Sequence, residues 1–236
     1  MKKLAVPLFA TLAAVGIAAS LYLVFFVAPL EYSYNEAGKF NGSSLFFNQK
    51  IFYFHVGHAF WLFGAVFVSG ISSIGFLITR DPRWDDVASA STDVAVAFGA
   101  VVLLTGSIWG KAAWDKWWDW DARLTTFLLL WLTMVGYVLV RKYGGHGSER
   151  MAAGLAVFAT VNIPLVYFSV KIWRTLHPQT SVVPELEGGM RAAMWSSVGL
   201  FTIFYVLLLR LRIQAARSER RLTELRERAL DAGLIE

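Results

Sequence analysis

The sequence contains no cysteine, and charged residues are scarce in it. Without cysteine the chain forms no disulfide, thiolate metal site, cysteine nucleophile or thioether bond to a cofactor. Charged residues make up 17% of the sequence, whereas a soluble domain usually carries about 25%. Hydrophobic residues reach 56%, and the mean hydropathy is +0.52. These proportions indicate a chain that is surrounded largely by lipid.

The sequence also lacks the patterns of several common functional classes. It has no Gly-rich loop ending in Lys-Ser/Thr, no arrangement typical of a hydrolytic triad and no paired-carboxylate site. We therefore expect no ATPase activity and no other enzymatic reaction. The net charge is +5, and much of the basic excess lies in the last 27 residues. We interpret this charge as membrane topology, and not as nucleic-acid binding.

Six apolar stretches are each long enough to cross a bilayer as a helix. They comprise residues 4–29, 51–79, 87–109, 124–140, 151–170 and about 190–209. Helices are expected because every backbone amide in lipid needs a partner within its own segment. Lys2 and Lys3 also suit a signal peptide, but the apolar run is long and ends at Pro29, so we interpret it as a retained helix. The predicted fold is an all-α polytopic membrane protein with a six-span domain over residues 1–209.

The distribution of Lys and Arg predicts that both termini are cytoplasmic. With the N-terminus inside, the inner segments hold 14 basic residues in 47 positions, and the outer loops hold 8 in 55. The bias depends on the tail, residues 210–236, which alternates acidic and basic residues. Pairs such as Glu224 with Arg228 favour a solvated helix that extends the last span into the cytoplasm. A dedicated docking site is the alternative interpretation of this tail.

Tryptophans are concentrated in the predicted outer loop between the third and fourth spans, residues 109–125. Five of the ten tryptophans lie within twelve residues, and Asp121 and Arg123 follow them. An interfacial belt explains one or two such rings, but not five. The cluster suits a large flat ligand: a porphyrin would pack on the rings, and Arg123 would pair with a propionate. A quinone, a lipid head group or a quaternary ammonium would use a similar surface.

Two outer segments each place histidine near this tryptophan loop. His55 and His58 lie at the outer end of the second span, and His177 lies in the last outer loop. Imidazole is a standard axial ligand of haem iron. A single interfacial histidine is more often hydrogen-bonded to a neighbour, but the pair beside the tryptophans favours haem ligation. The fourth histidine, His146, lies in an inner Gly-rich turn and is expected to be a solvated loop residue.

The loop sequence Trp117-Trp118-Asp119-Trp120-Asp121-Ala-Arg123-Leu-Thr closely resembles the "WWD" motif of haem-handling proteins. Within that superfamily the chain is most similar to the haem exporter protein C family of the cytochrome c maturation system. The resemblance covers nearly the whole chain. Its other parts are Ile51-Phe-Tyr-Phe-His55-Val, Arg80-Asp-Pro-Arg-Trp84-Asp, Asn162-Ile-Pro164-Leu-Val-Tyr167-Phe-Ser169-Val and Trp173-Arg-Thr-Leu-His177-Pro.

This resemblance implies a multi-pass bacterial inner-membrane protein that holds haem b non-covalently at its periplasmic face. It implies that His55 and His177 are the axial ligands of the iron. The tryptophan loop would be the platform for the ring, with contacts from Trp114, Trp117, Trp118, Trp120, Asp121 and Arg123. The implied partners are the lipid bilayer, the ATP-binding-cassette subunits of the maturation complex, and a small periplasmic haem chaperone that receives the haem.

Three positions depart from the family's pattern. Gly57 stands where proline usually follows His-Val, and Asp115 stands where glycine is frequent. His58 is also outside the usual pattern. Because His55 and His58 share a helix face, His58 is a competing candidate for the first ligand.

Three other functions stay open from the residues alone. A b-type electron carrier normally holds haem in mid-membrane, and no histidine lies at the centre of a predicted span. A transporter would need polar residues at the midplane, and the best such residue, Asp93, lies near the inner end of the third span. A scaffold of the maturation complex that does not transfer haem is the remaining alternative.

Overall fold

The computed structural model describes residues 2–28, 49–145, 147–178, 182–186 and 188–234. These residues form seven α-helices and one π-helical segment, and no β-strand is found among them. The helices are α1 (Lys2–Tyr22), α2 (Gln49–Thr79), α3 (Pro82–Trp114), α4 (Ala122–Tyr143), α5 (Ser148–Ile172), α6 (Val182–Glu185) and α7 (Gly188–Asp231), and the π-helical segment Leu23–Val27 continues α1.

The six predicted spans are confirmed: α1 with its π-helical segment, α2, α3, α4, α5 and α7 are long and apolar enough to cross a membrane. The short helix α6 was not predicted from the sequence. His146 and most of the first predicted outer loop, residues 31–50, lie outside the described residues. The expectation that His146 is solvated therefore stays a prediction.

Local sequence signals set the ends of the two helices that flank the tryptophan loop. Asp81 caps the N-terminus of α3 by accepting a 2.9 Å hydrogen bond from the Arg83 amide, and Pro82 follows at the first helical position. At its other end α3 stops at Asp115, which has φ 58° and is left-handed. Helix α4 begins after Asp121, whose carboxylate accepts from the Leu124 amide at 2.8 Å.

The helices pack as a bundle in which α2 is central. It lies between α3 and α5, α4 packs against α5, and α7 packs against α2 and α3, while α1 lies outside against α7. Small residues allow close approach: a Cβ on Gly70 would lie 1.9 Å from Oγ1 of Thr160 in α5. Ser69 and Thr92 join α2 to α3 through a 2.7 Å hydrogen bond. Such contacts are typical of helix packing in lipid, where hydrophobic burial drives helices together less strongly.

Ion pairs fasten α7 to α3 at the end of the bundle opposite the tryptophan loop. Asp93 accepts from Arg212 Nε at 2.8 Å, and the buried carboxylate of Asp86 accepts from Arg220 at 2.9 Å. Arg217 lies 3.6 Å from the same carboxylate. Helix α7 therefore continues without a break into the predicted tail, and the first turns of this tail pack against α3. The division between a 1–209 domain and a 210–236 tail stays a prediction.

Candidate functional site

A cleft opens at the end of the bundle that carries the tryptophan loop. It contains about 840 Å³ of space, counting its open mouth. Its walls are mostly apolar or aromatic and come from α2, α3, the loop, the start of α4 and the segment after α5. The lining residues are His55, Ala59, Phe63, Val102, Leu103, Gly106, Ser107, Trp109, Gly110, Trp114, Lys116, Trp117, Trp118, Asp119, Arg123, Leu124, Phe127, Leu176 and His177.

His55 reaches the cleft from the second turn of α2 and is 8% exposed. Its Nδ1 lies 2.9 Å from Oγ1 of Thr105 in α3. The Trp109 ring meets the imidazole edge-on, with 5.9 Å between the ring centroids. The side chain is therefore fixed on both sides by α3.

His177 reaches the same cleft from the segment that follows α5. Its Nδ1 lies 2.8 Å from the carbonyl oxygen of Pro178. A carbonyl only accepts, so Nδ1 carries the proton and Nε2 keeps its lone pair. Burial, and after it the positive charge of Arg123, lowers the pKa of His177 to about 4. The imidazole is therefore neutral at neutral pH, which is the form that binds metals.

His58 does not line the cleft. Its Nδ1 donates to the Phe54 carbonyl oxygen at 2.8 Å within α2. Its ring lies against Phe98 and Phe201, with centroid distances of 5.2 and 3.9 Å. Of the two histidines on α2, the structure brings only His55 to the tryptophan loop, and His58 is packed on the side of α2 that faces α3 and α7.

The predicted tryptophans divide into two groups. Trp114, Trp117 and Trp118 line the cleft, as the sequence predicts for a platform. Trp120 does not line it: it is 74% exposed and meets the Trp118 ring edge-on with centroids 5.7 Å apart. The position of Trp120 suits contact with a partner or with the outer part of a ligand. Direct contact between Trp120 and haem stays a prediction.

Asp121 connects the tryptophan loop to the segment that carries His177. One carboxylate oxygen caps α4, and the other accepts from the Leu176 backbone amide at 3.0 Å. Asp121 lies outside the cleft lining, so its contacts position His177 through the neighbouring residue. Arg123 does line the cleft, and its guanidinium also donates to the Val166 carbonyl in α5.

Three residues of α3 surround His55, and sequence reasoning missed this role for all of them, although Trp109 was counted in the tryptophan cluster. Thr105 and Trp109 contact its imidazole directly. A Cβ on Gly106 would lie 3.0 Å from Cε1 of His55, so this glycine leaves the room that the ring occupies. Thr105 and Trp109 are four residues apart and therefore share a helix face. That spacing, next to a glycine within an apolar run, is the feature of the sequence that could have indicated this role.

The bridging role of Asp121 gives a testable prediction. In Asp121→Asn, one side-chain oxygen can still cap α4, but the amide group cannot accept from the Leu176 N–H. We expect α4 to persist, while hydrogen exchange of the backbone around His177 rises about fivefold, since one hydrogen bond contributes about 1 kcal/mol. Exchange mass spectrometry of the ligand-free protein measures this. Asp119→Asn, in the same loop, is the control; equal protection of residues 174–178 in Asp121→Asn and wild type would contradict the bridge.

Comparison with known proteins identifies the family to which the chain is similar. The family model described as "Heme exporter protein C" matches residues 1–231. Heme exporter protein C of Bradyrhizobium diazoefficiens is 36% identical over 179 residues, covering 72% of this chain and 66% of that protein. The chain thus spans slightly less than two thirds of that relative.

Two further relatives carry the same name. Heme exporter protein C of Escherichia coli K12 is 31% identical over 191 residues, covering 79% of this chain and 78% of that protein. The Haemophilus influenzae protein is 32% identical over 178 residues, covering 75% of this chain and 68% of its own length. Because the family model matches nearly the full length of this chain, the chain belongs to the heme exporter protein C family.

Proposed function

We propose that the cleft holds haem between His55 and His177 and releases it to a periplasmic haem chaperone during c-type cytochrome maturation. One observation carries this proposal. Two imidazoles from distant parts of the chain line a single cleft, and four tryptophans line the same cleft. Each imidazole presents Nδ1 to an internal partner, which leaves its Nε2 for a metal.

The residues of the cleft fit a haem group in three respects. The apolar and aromatic walls suit the faces of a porphyrin. Arg123 supplies a cation for a propionate. The indole N–H groups of Trp109 and Trp118 are buried and have no hydrogen-bond partner among the described residues, and such donors are expected where a ligand supplies the acceptor.

The chain's own residues favour reversible binding. It has no cysteine, so the protein itself forms no thioether bond to the vinyl groups. His55 is held between two long helices, whereas His177 lies on a short segment fixed by local hydrogen bonds and by Asp121. His177 is therefore the ligand that moves away at lower cost when an acceptor takes the iron.

The orientation and partners belong to the same proposal. The Lys and Arg distribution favours an outward-facing tryptophan loop, which places the cleft in the periplasm of a bacterial inner membrane. Exposed Trp117 and Trp120 then face the haem chaperone. ATP-binding-cassette subunits of the maturation complex would contact the membrane-spanning helices. The cargo is haem b, held without a covalent bond.

Haem transfer from the purified protein tests the proposed function. We expect the detergent-solubilised wild type to contain about one haem per chain and to transfer it to a soluble periplasmic haem chaperone on mixing. The pyridine haemochrome assay of the separated proteins measures both quantities. Wild type that holds no haem when haem is abundant would overturn the proposal and favour a scaffold role.

The pKa of His177 predicts how haem retention depends on pH. Because burial lowers this pKa to about 4, the neutral ligand is present above that pH and is lost as the pH falls through it. Because iron competes with the proton for the same nitrogen, we expect the Soret band to stay constant from pH 8 to about 5 and to decline only at or below about pH 4. His58→Ala should give the same profile. A release midpoint near 6.5, the ordinary value for histidine, would contradict the assignment.

A further inference from the structure

Three residues of α3 surround the imidazole of His55. Thr105 lies 2.9 Å from Nδ1, Gly106 leaves space at Cε1, and Trp109 closes the edge of the ring. Helix α2 packs extensively against α3, so these three residues lie in the interface between two long helices. Thr105 is the polar member, and its hydroxyl decides which ring nitrogen faces α3.

The hydrogen bonds of Thr105 assign the tautomer of His55. The hydroxyl lies 2.7 Å from the Val101 carbonyl oxygen one turn earlier, to which it donates. A hydroxyl has one proton, so the same oxygen can only accept in its contact with His55. The proton in that contact therefore comes from Nδ1. The ring then has its lone pair on Nε2, the nitrogen directed away from Thr105.

We propose that Thr105 is a positioning residue that holds His55 in the Nδ1–H tautomer and directs Nε2 into the cleft. A metal-binding histidine usually donates its other ring N–H to a fixed acceptor, and this second contact orients the ring. In the chain, α3 supplies that acceptor through a neutral hydroxyl. The role of Thr105 toward iron rests on the proposed function, whereas its effect on the tautomer does not depend on haem.

The tautomer is tested first in the haem-free protein. Protein labelled with ¹⁵N-histidine is compared with Thr105→Val, which has nearly the same shape but no hydroxyl, and with Thr105→Ser, which retains it. The His55 signals are identified by their absence in His55→Ala. We expect wild type and Thr105→Ser to show Nδ1–H at neutral pH, and Thr105→Val to show Nε2–H or a mixture. An unchanged Nδ1–H signal in Thr105→Val would overturn the proposal.

Haem binding tests the consequence for the site. Loss of such a second contact typically costs about 10- to 100-fold in metal affinity. We expect Thr105→Val to bind haem at least about tenfold more weakly and Thr105→Ser to restore the wild-type affinity. Thr202→Val is the matched control, because Thr202 also donates to a carbonyl one turn earlier and contacts Trp61 outside the cleft.

Together, the two experiments show which of the two proposals fails. If the wild type binds no haem, the proposed function fails, while the NMR comparison still decides whether Thr105 fixes His55. If the wild type binds haem and Thr105→Val binds it equally well, Thr105 has no positioning role. If Thr105→Val loses haem but Thr105→Ser does not restore it, the effect comes from packing, which also overturns the proposal.

Discussion

Replacing either His55 or His177 by alanine is expected to remove most of the haem that purifies with the protein. Each substitution removes one of two iron ligands, which should weaken binding by more than the 10- to 100-fold that loss of an outer contact costs, so about one tenth or less of the wild-type haem should remain. The two substitutions should also differ in the part of the structure that they disturb. His55→Ala leaves a gap beside the residues of α3 that surround the imidazole, whereas His177→Ala changes the short segment that follows α5.

The change is measured as the Soret absorbance per protein in detergent-purified samples. His58→Ala is the matched control, because it removes a neighbouring imidazole of α2 that packs against Phe98 and Phe201 outside the cleft. We expect this variant to keep its haem. Loss of haem in His58→Ala together with retention in His55→Ala would contradict the assignment of the first ligand.

Filling the cleft at Gly106 is expected to have an effect nearly as large. A Cβ at this position would lie 3.0 Å from Cε1 of His55, and the rest of a leucine side chain would occupy the space beside the imidazole. Gly106→Leu should therefore displace the ring and reduce haem occupancy about tenfold or more, since a misplaced ligand costs at least as much as a lost outer contact. The fold should survive, because the added atoms enter a cleft and not the packed core.

Gly154→Leu is the control for this substitution. Gly154 lies in α5, and a Cβ there would meet nothing within 4 Å, so the helix change is the same without a filled cleft. Haem content and thermal stability are measured for both variants. Equal haem content in the two would show that the space beside His55 is not part of the binding site.

The sequence predicts the helices of this protein well, because long apolar runs in lipid have few alternatives to a helix. The start of α4 after Asp121 and the start of α3 after Asp81 also follow from local capping residues. The sequence also predicts that the last span continues as a helix into the tail, and α7 runs from Gly188 to Asp231. Its contacts with α3 depend on Asp86 and Asp93 meeting arginines more than 100 residues away, which no local pattern reveals.

The candidate site divides in the same way. The tryptophan loop, His55 and His177 are visible in the sequence because their residue types are rare and clustered. The contacts of Thr105, Gly106 and Trp109 with His55 are not visible, because they depend on the register in which α3 packs against α2. The separation of His55 from His58 likewise required the structure, since both lie within one turn of the same helix and only the neighbouring rings distinguish them.

The most direct test of the account is the near-infrared magnetic circular dichroism spectrum of the oxidised, haem-loaded wild type, because this spectrum identifies both axial ligands of ferric haem. We predict a low-spin haem with two imidazole ligands, and we expect this signal to be absent in His55→Ala and in His177→Ala. A high-spin haem, a ligand other than imidazole, or a bis-imidazole signal that persists in either variant would contradict the claim that these two histidines hold the haem.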